Sequence, residues 1–503
     1  MSAQTESHHP ALHHVRQVEA GWIQGSCNDG ICRFLGVPYA APPVGWNRFA
    51  LPQPVPPWDG MRDATRPGPS SFQKLKDFPA IDIVPLIGDG YERGDEYLTL
   101  NIWAPDDATD RPVMVFIHGG GFVVGSKDAP VNDGSAFARS GVVCVAINYR
   151  MGIEGFLPIP GVPTNLGLRD MIAALQWVQR NVAQFGGDAC NVTVFGESAG
   201  AMAIANLVTS PLAKGLFKRA IVESGHGAMV RDIGTAQRLV RKLAKLMKIA
   251  PTVDGFRSAD AERGWAAMEK IAKPFPGIDL RDAEGHEPVF GISRFIPVFG
   301  DDVLPEKPID ALKKGAGRDV ELLIGTNMEE MNLYFVPTKV RAKVPGFLAK
   351  WLLGKSHPDA RKVLRTYGLG RKGRKPGHAL TDAMNDLVFR WPARRFAEEH
   401  QGRTHMYEFD WRSPACGGDL GACHGMELPF VFKTLETATG PRGFAGEEPP
   451  QAMADRIHQL WVDFASDGSL PWPEFDRTSR KVHLLGSDET ITEPVMPAAD
   501  LIP

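Results

Sequence analysis

The sequence predicts an α/β protein whose mostly parallel central sheet is covered by helices on both faces. Short apolar runs of the kind found in buried strands alternate with helical segments along most of the chain. One such run, Val192–Phe195, stops at a glycine, and a helix of small residues begins at Ala199. Another, Val113–Ile117, leads into the glycine-rich turn Gly119–Gly121. We therefore expect reactive groups where these two strands end.

Composition and charge exclude several classes of protein. Of the 503 residues, 43% are hydrophobic and 23% are charged, which is typical of a soluble globular chain. A formal net charge of -3 does not provide the basic surface that nucleic acids require, so no nucleic-acid partner is expected. No apolar run reaches the length of a membrane span, and the first residues lack the basic and apolar regions of a signal peptide.

The six cysteines show neither metal-ligand nor disulfide-framework spacing. This pattern favours reduced thiols and a cytoplasmic location. Cys27 and Cys32 flank an Asn-Asp-Gly turn and could face each other, but free thiols are the favoured interpretation.

The elements follow in chain order. Residues 1–15 are polar and histidine-rich and predict a flexible terminus, with metal binding by these histidines as the alternative. Val18–Tyr39 alternates around Asn-Asp-Gly and predicts a β-hairpin, after which a proline-rich irregular excursion is expected. Apolar periodicity predicts helices over Arg169–Phe185 and Met453–Ala465. The remaining strands are expected at Leu98–Trp103, Val142–Asn148, Ala220–Glu223, Leu322–Ile324, His405–Trp411 and Val482–Leu485.

Two stretches carry helical patterns without core strands. We expect residues 16–503 to form one domain, with these stretches as cap insertions near 231–275 and 336–400, over the sheet edge that holds the site. Lys339–Lys355 mixes basic with aromatic and aliphatic residues, which allows contact with a membrane or lipid. A cap helix packed on the protein's own core is the favoured alternative. Arg371–Gly377 is basic and predicts a solvated loop.

Ser198 is the candidate nucleophile. It lies in Gly-Glu-Ser-Ala-Gly, a pattern that is common by chance but is preceded here by a strand and followed by a helix. A sharp strand-to-helix turn requires small residues on both sides of the serine and exposes its hydroxyl. The glycine-rich turn at Gly119–Gly121 can supply backbone N–H groups to an oxyanion, together with the N–H of Ala199.

A serine nucleophile needs a base and an acid that orients the base. Of the fourteen histidines, His424 is favoured because small residues flank it late in the chain, and His226 is the competitor. The acid should follow the strand Leu322–Ile324, where Glu329 and Glu330 are adjacent. The order in the chain is then serine, glutamate, histidine.

Several blocks occur together and in order, and they resemble one family over nearly the whole chain. Phe34–Pro43 reads Phe-Leu-Gly-Val-Pro-Tyr-Ala-Ala-Pro-Pro, and Leu98–Trp103, Gly186–Asp188 and Glu427–Phe432 follow it. With the serine block, they resemble the type-B carboxylesterases of the α/β-hydrolase fold. This family also contains cholinesterases and bacterial enzymes similar to para-nitrobenzyl esterase.

The resemblance implies a catalytic triad of Ser198, Glu330 and His424. Glu330 is chosen over Glu329 because the family's acid is the sixth residue counted from Gly325. Relatives usually carry glycine after that acid, whereas this chain has Met331, so the local backbone is expected to differ.

The resemblance also implies which groups surround the triad. The oxyanion donors fall on Gly120, Gly121 and Ala199. Glu197 and Ser224 are expected to support the site from behind without touching the substrate.

The expected activity is hydrolysis of small, uncharged carboxylic esters through an acyl-enzyme, without a metal or other cofactor. Ser71 and Tyr97 occupy positions where many relatives carry a disulfide, and no tryptophan lies between them. Cholinesterases carry an aromatic platform for quaternary ammonium in that interval, so choline esters are expected to be poor substrates.

Four aromatic residues next to the motifs are candidates for an apolar acyl pocket, and ordinary core positions are the alternative. They are Trp103, Phe122, Phe335 and Phe430. An amidase or aryl-carbamate hydrolase could use the same triad. A non-catalytic binding or adhesion protein is disfavoured, since all the catalytic residue types are present.

Overall fold

The computed structural model describes residues 14–75, 78, 80–89, 93–273, 277–287 and 293–501. Apart from its last two positions, the predicted flexible terminus at residues 1–15 lies outside the described residues. The strands are β1 (Val15–Val18), β2 (Gly21–Gln24), β3 (Ser26–Asn28), β4 (Ile31–Pro38), β5 (Met61–Asp63), β6 (Thr99–Pro105), β7 (Arg111–Ile117), β8 (Val143–Ile147), β9 (Gly187–Glu197), β10 (Arg219–Glu223), β11 (Arg231–Asp232), β12 (Val298–Phe299), β13 (Glu321–Asn327), β14 (Thr404–Phe409), β15 (Lys481–Leu484) and β16 (Glu489–Thr492).

The helices alternate with the strands in the central part of the chain. They are α1 (Val84–Ile87), α2 (Ser135–Arg139), α3 (Gly152–Phe156), α4 (Leu166–Asn181), α5 (Ala199–Thr209), α6 (Ile233–Met247), α7 (Val253–Arg257), α8 (Ala261–Ala272), α9 (Pro308–Lys313), α10 (Asn332–Phe335), α11 (Val340–Lys343), α12 (Gly346–Gly354), α13 (Ala360–Thr366), α14 (Pro376–Asn385), α15 (Trp391–Glu399), α16 (Leu428–Val431) and α17 (Gln451–Asp467).

Within the described residues, eleven strands form one sheet in the order β16-β15-β14-β13-β10-β9-β7-β8-β6-β4-β3. The pairs from β15 to β8 are parallel, and the pairs at both ends of the sheet are antiparallel. The mostly parallel sheet predicted from the sequence is therefore confirmed. Strand β9, which leads to Ser198, lies near the middle, so the serine stands above the most protected part of the core.

Two apolar cores lie on opposite faces of the sheet. Along β7, Val113, Val115 and Ile117 belong to one core, and Met114 and Phe116 to the other. This alternation is the two-residue period of a strand buried on both faces. Helices α4, α5 and α6 pack on the first face, and α16 and α17 on the second. The three-layer arrangement expected for this fold class is the one observed.

The first hairpin differs from the sequence prediction in one respect. Strands β3 and β4 pair antiparallel around the Asn-Asp-Gly turn, as predicted, and their register places Cys27 directly opposite Cys32. The two cysteines form a disulfide, so the prediction that both are free thiols is wrong. Four other cysteines are free: Cys144, Cys190, Cys416 and Cys423.

Helices occupy both predicted insertions. Helices α6 to α8 lie in the stretch 231–275, and α11 to α15 lie in the stretch 336–400. The basic segment predicted as a loop over Arg371–Gly377 is shorter than expected, because α14 already begins at Pro376. None of the helices in the described part of the chain is both long and apolar enough to span a bilayer.

Candidate active site

Ser198 lies at the sharp turn between β9 and α5. Its backbone has φ +56° and ψ -122°, a conformation that non-glycine residues rarely adopt. A Cβ atom added at Gly196 or at Gly200 would lie 2.4 or 1.9 Å from the carbonyl oxygen of Ile117 on the neighbouring strand. Both glycines are therefore required by the close approach of β7. The turn places the serine side chain at the carboxyl end of the sheet, as the motif predicts.

A continuous hydrogen-bonded chain connects Ser198 to a carboxylate. His424 Nε2 lies 2.7 Å from Ser198 Oγ, and His424 Nδ1 lies 2.6 Å from Glu330 Oε2. The other carboxylate oxygen of Glu330 accepts the N–H of Asn327 at 2.7 Å. Because an ionised carboxylate can only accept, Nδ1 carries the proton and Nε2 is free to accept from the serine. The geometry is that of a nucleophile with its base and its orienting acid.

The two competing residues are occupied elsewhere. Glu329 accepts the N–H of Ala422 at 3.0 Å and forms an ion pair with Arg412, which turns it away from His424. His226 donates from Nε2 to the carbonyl of Val388 at 2.7 Å and is buried. Burial lowers the pKa of His226 to about 4, which keeps the ring neutral.

Met331, where relatives carry glycine, does not strain the backbone. Its φ of -71° and ψ of -8° are helical values that any residue adopts. The different local backbone expected after Glu330 is therefore not needed to bring that carboxylate to the histidine.

Three backbone amides next to the serine are unused. The N–H groups of Gly120, Gly121 and Ala199 donate to no acceptor within the described part of the chain. Gly120 and Gly121 have φ values of +99° and +63°, so both require glycine or a strained substitute. The turn is closed by a 3.1 Å hydrogen bond from the N–H of Val124 to the carbonyl of Gly120. The residues predicted to hold an oxyanion thus present free donors around Ser198.

Glu197 has a more direct contact with the triad than the sequence indicates. Its Oε1 lies 3.0 Å from His424 Nε2, the same nitrogen that faces the serine. Burial alone would lower the pKa of His424, but the carboxylates of Glu197, Glu330 and Glu427 raise it to about 9. The negative charge around the imidazole therefore favours its protonated form.

Two further buried carboxyl groups, those of Glu223 and Glu427, lie under the site, and no role was predicted for them from the sequence. Trp461 donates its indole N–H to Glu223 at 2.9 Å, and the side-chain amide of Asn327 donates to Glu427. Burial raises the pKa of Glu223 and Glu427, which favours their neutral forms, whereas the rise that burial causes in the pKa of Glu197 is opposed by the charge of a protonated His424. Both residues could have been found from the sequence. Glu427 is the first residue of a block that resembles the family, and Glu223 occupies a position where the family has glutamine.

Ser224 lies directly after β10 and is fully buried. Its N–H donates to the carbonyl of Gly325 at 2.8 Å, and its φ is +53°. Its hydroxyl has no hydrogen-bond partner among the residues described. Ser224 thus helps to join β10 to β13, the strand before Glu330.

A cavity of about 420 Å³ opens above the triad. Ser198, His424 and the glycine-rich turn form its floor. Its apolar wall comes from the loop around α1, from α8, from α10 and from the segment before β12. The residues of this wall include Leu75, Phe78, Leu86, Val123, Trp265, Met268, Phe295, Leu333 and Tyr334.

The four aromatic residues proposed for the acyl pocket lie outside this cavity, and that prediction is wrong. Phe122 turns into the core, where its ring packs 4.4 Å from Phe156. Phe430 packs in the core on the other face of the sheet, and Trp103 belongs to that same core. Phe335 is half-buried against the main core. Each is close to a motif in sequence, but none of the four lines the cavity above the serine.

A second cavity, of about 500 Å³, adjoins the first. Val123, Trp265 and Met268 line both, so a single layer of side chains separates them. The second cavity is more polar and contains the ion pair between Arg48 and Glu154, which are 2.7 Å apart. Substitutions in this shared layer can enlarge the space available above the serine.

Comparisons with known proteins point to one family. The model of the carboxylesterase family matches residues 13–494. Para-nitrobenzyl esterase of Bacillus subtilis is 35% identical, over 95% of this chain and 96% of its own. Phenmedipham hydrolase of Pseudarthrobacter oxydans is 32% identical, over 94% and 95% respectively. A solved structure of a PNB esterase has a TM-score of 0.82 at 31% identity and covers 98% of this chain and 100% of its own.

Proposed function

This chain belongs to the carboxylesterase family and is a hydrolase of carboxylic esters, and we propose that it acts through an acyl-enzyme formed on Ser198. The observation that carries the proposal is the pair of short hydrogen bonds on opposite nitrogens of His424. One reaches Ser198 Oγ at 2.7 Å, and the other reaches Glu330 Oε2 at 2.6 Å. With Nδ1 protonated, a neutral imidazole has Nε2 available to take the serine proton.

In the first half of the reaction, His424 accepts the Ser198 proton as the serine oxygen attacks the ester carbonyl. The carbonyl oxygen becomes an oxyanion, and the free N–H groups of Gly120, Gly121 and Ala199 are positioned to stabilise it. Removal of one such donor costs about a hundred- to a thousand-fold in rate in a related mechanism. His424 then protonates the leaving alcohol, and the acyl group stays on the serine.

In the second half, a water molecule takes the place of the alcohol. His424 removes a proton from this water as it attacks the acyl carbonyl, and the same amides stabilise the second oxyanion. The bond to Ser198 breaks, the serine recovers its proton from His424, and the carboxylic acid leaves. Glu330 holds the imidazole in one tautomer and stabilises its charged form in both halves.

We expect uncharged esters with short or medium acyl chains to be the preferred substrates. The apolar wall over Ser198 and the cavity volume of about 420 Å³ support this choice. The family's aromatic platform would lie between Ser71 and Tyr97, a segment without tryptophan. Leu75, Phe78 and Leu86 of this segment line the cavity instead, which supports poor activity on choline esters. A clear preference for an acylcholine over its neutral alkyl analogue would contradict this.

Amide or carbamate hydrolysis is the second candidate activity. It is favoured by one observation: a relative that this chain matches over 95% of the relative's length carries the name phenmedipham hydrolase. Initial rates on para-nitrophenyl esters of rising chain length, an anilide, a carbamate and phenmedipham itself separate the two. We expect kcat/KM to be highest for an ester.

The acyl-enzyme is tested by mass spectrometry of the intact protein. A fluorophosphonate should add once to the wild-type chain, and peptide mapping should place the adduct on Ser198. Ser224→Ala should still be labelled, whereas Ser198→Ala should not. Labelling of another residue, or full activity after stoichiometric labelling, would contradict the mechanism.

We propose a cytoplasmic location and one catalytic domain over residues 16–503. The four free cysteines support a reducing compartment, and the Cys27–Cys32 disulfide is the observation against it. Cell fractionation with thiol counting decides the first point, because a cytoplasmic enzyme should be recovered in the cytosolic fraction with Cys144, Cys190, Cys416 and Cys423 reduced. Limited proteolysis decides the second, since a single domain should lose only its first residues.

A further inference from the structure

The second cap insertion concentrates positive charge. The whole chain has a formal net charge of -3, yet residues 336–378 contain twelve basic residues and a single acidic one, Asp359. We call the stretch from Lys339 to Lys375 the basic cap. Its basic residues are Lys339, Arg341, Lys343, Lys350, Lys355, Arg361, Lys362, Arg365, Arg371, Lys372, Arg374 and Lys375.

Most of this charge is not neutralised by the protein itself. Arg341 pairs with Asp419 at 3.6 Å, and Arg374 pairs with Asp382. Lys355 lies 3.9 Å from the ring centre of Trp351. The other nine basic residues are all exposed, and within the described ranges none of them forms an ion pair with a carboxylate. A surface of this kind attracts anions over a distance set by the salt concentration.

The basic cap also presents an apolar helix face to solvent. In α12, Ala349 and Leu353 are buried, and the helix packs against α13 and α14. On the helix surface, Phe347 has Lys350 and Trp351 as neighbours three and four residues later. The Phe347 side chain is 74% exposed, and Trp351 is half-buried. An exposed aromatic group among lysines is typical of segments that lie in a membrane interface.

The basic cap is adjacent to the catalytic cavity. Leu333 and Tyr334 line that cavity, and the cap begins five residues after them. Near the middle of the basic cap, Lys355 is close enough to Arg294, which also lines the cavity, to repel it electrostatically. A surface bound to the cap would therefore lie beside the substrate site.

We propose that the basic cap docks the enzyme onto an anionic lipid surface, with Phe347 inserted among the headgroups. Charge complementarity and the exposed aromatic group are both satisfied by such a surface. A nucleic-acid duplex would satisfy the lysines and arginines but would leave Phe347 without an apolar environment, because its bases are already stacked on one another. The chain as a whole is acidic, so docking is confined to this face.

The test measures how the purified full chain partitions onto sedimenting vesicles. Phosphatidylcholine vesicles with and without phosphatidylglycerol are compared at low and at high salt. Binding is expected only with the anionic lipid, and it should weaken as salt rises because the charges are screened. No binding to anionic vesicles, or equal binding to neutral ones, would overturn the proposal.

The charged variant combines Lys343→Gln, Lys350→Gln, Lys362→Gln and Lys372→Gln. A basic residue near an anionic membrane contributes about a fivefold gain in partitioning, so four substitutions should weaken binding by roughly several hundred-fold. The matched control should bind like the wild type. It neutralises two lysines of the first cap insertion and two of the segment before it: Lys245→Gln, Lys248→Gln, Lys214→Gln and Lys218→Gln. Equal loss in both would overturn a docking role for the basic cap.

The insertion of an apolar side chain is tested with Phe347→Ser. Its control is Leu212→Ser, because Leu212 is a 41% exposed apolar residue elsewhere on the surface. Phe347→Ser should weaken binding several-fold, and Leu212→Ser should not change it. Unchanged binding of Phe347→Ser would overturn insertion into the headgroups. Hydrolysis of a water-soluble ester should be unaffected in all variants, which shows that each is folded.

Tight binding of a DNA or RNA oligonucleotide without vesicle binding would identify a nucleic acid as the partner and overturn the proposal.

Discussion

The floor and the wall of the catalytic cavity are built on different principles. The floor is defined by backbone geometry: Ser198 has a positive φ, and the glycines at 120 and 121 have φ values that side chains disfavour. Hydrogen bonds of 2.6 and 2.7 Å then fix the triad. The wall consists of side chains such as Trp265 and Met268 on cap helices, held by packing. We infer that the floor determines whether the enzyme reacts, and the wall determines with which ester.

The largest loss of activity is expected when the nucleophile is removed. Ser198→Ala should lower kcat on the order of a million-fold, as in a related triad, because no other hydroxyl of the described residues hydrogen-bonds His424 Nε2. The control is Ser224→Ala, whose buried hydroxyl has no partner in the described part of the chain and whose loss should cost little. Steady-state rates with a para-nitrophenyl ester, before and after treatment with a chelator, provide the measurement. Substantial turnover by Ser198→Ala, or inactivation by the chelator, would mean that the reaction does not depend on this serine alone.

The two adjacent glutamates test the floor one step further from the substrate. Glu330→Gln should reduce kcat by about ten-thousand-fold with a small change in KM, since the wrong tautomer of His424 is then favoured. Glu329→Gln should change kcat by a few-fold at most, because that carboxylate contacts Ala422 and Arg412 instead. Circular dichroism shows whether both remain folded. The reverse pattern would assign the role of the acid to Glu329.

The pH profile tests the contact between Glu197 and the imidazole. The sequence predicts that kcat/KM rises through one ionisation in the neutral or mildly acidic range, because His424 must be neutral to accept a proton. The raised pKa of His424, about 9, moves this expected rise upward. Glu197→Gln removes one negative neighbour, so the pKa of His424 should fall and the rise should move to lower pH. An unchanged profile would show that the carboxylate does not act on the imidazole.

The smallest effect is expected in the wall. Met268→Ala should open the layer between the two cavities and raise kcat/KM for a bulky ester, relative to a small one, by about tenfold at most. Met453→Ala, at a buried position that lines neither cavity, should lower the melting temperature without altering that ratio. Rates on a short and a branched ester give the comparison. A large loss of kcat in Met268→Ala would mean that wall and floor are not separable.

The floor could be predicted from the sequence because its constraints are local. Gly196 and Gly200 are forced by the nearby carbonyl of Ile117, and this requirement repeats as a short motif with a strand before it and a helix after it. The sheet could be predicted for a similar reason, since buried strands such as Val113–Ile117 are continuous apolar runs. The choice between Glu329 and Glu330 needed the resemblance to a family, because both follow the same strand.

The wall could not be predicted, because tertiary packing decides which side of an amphipathic helix faces the cavity. Phe122 and Phe430 are beside motifs in the chain, yet both pack into the core. Trp265 and Met268 lie in an insertion that was predicted only as helical, and their lining role depends on how α8 packs against α6. The disulfide was missed because composition argued for free thiols, whereas the hairpin register brings Cys27 and Cys32 together.

The buried carboxyl groups beneath the serine link the folding equilibrium to the proton concentration. Burial raises the pKa values of Glu197 and Glu427 above their ordinary value of 4.5, so the folded chain retains protons that the unfolded chain has released. The free energy of unfolding therefore falls as pH rises through this interval, and the raised pKa of His424 extends the fall to about pH 9. Buried histidines with lowered pKa values act in the opposite sense only below their ordinary value of 6.5. The stability that these groups contribute thus falls over the same pH range in which the base becomes neutral, so the condition that activates His424 also weakens the folded state beneath it.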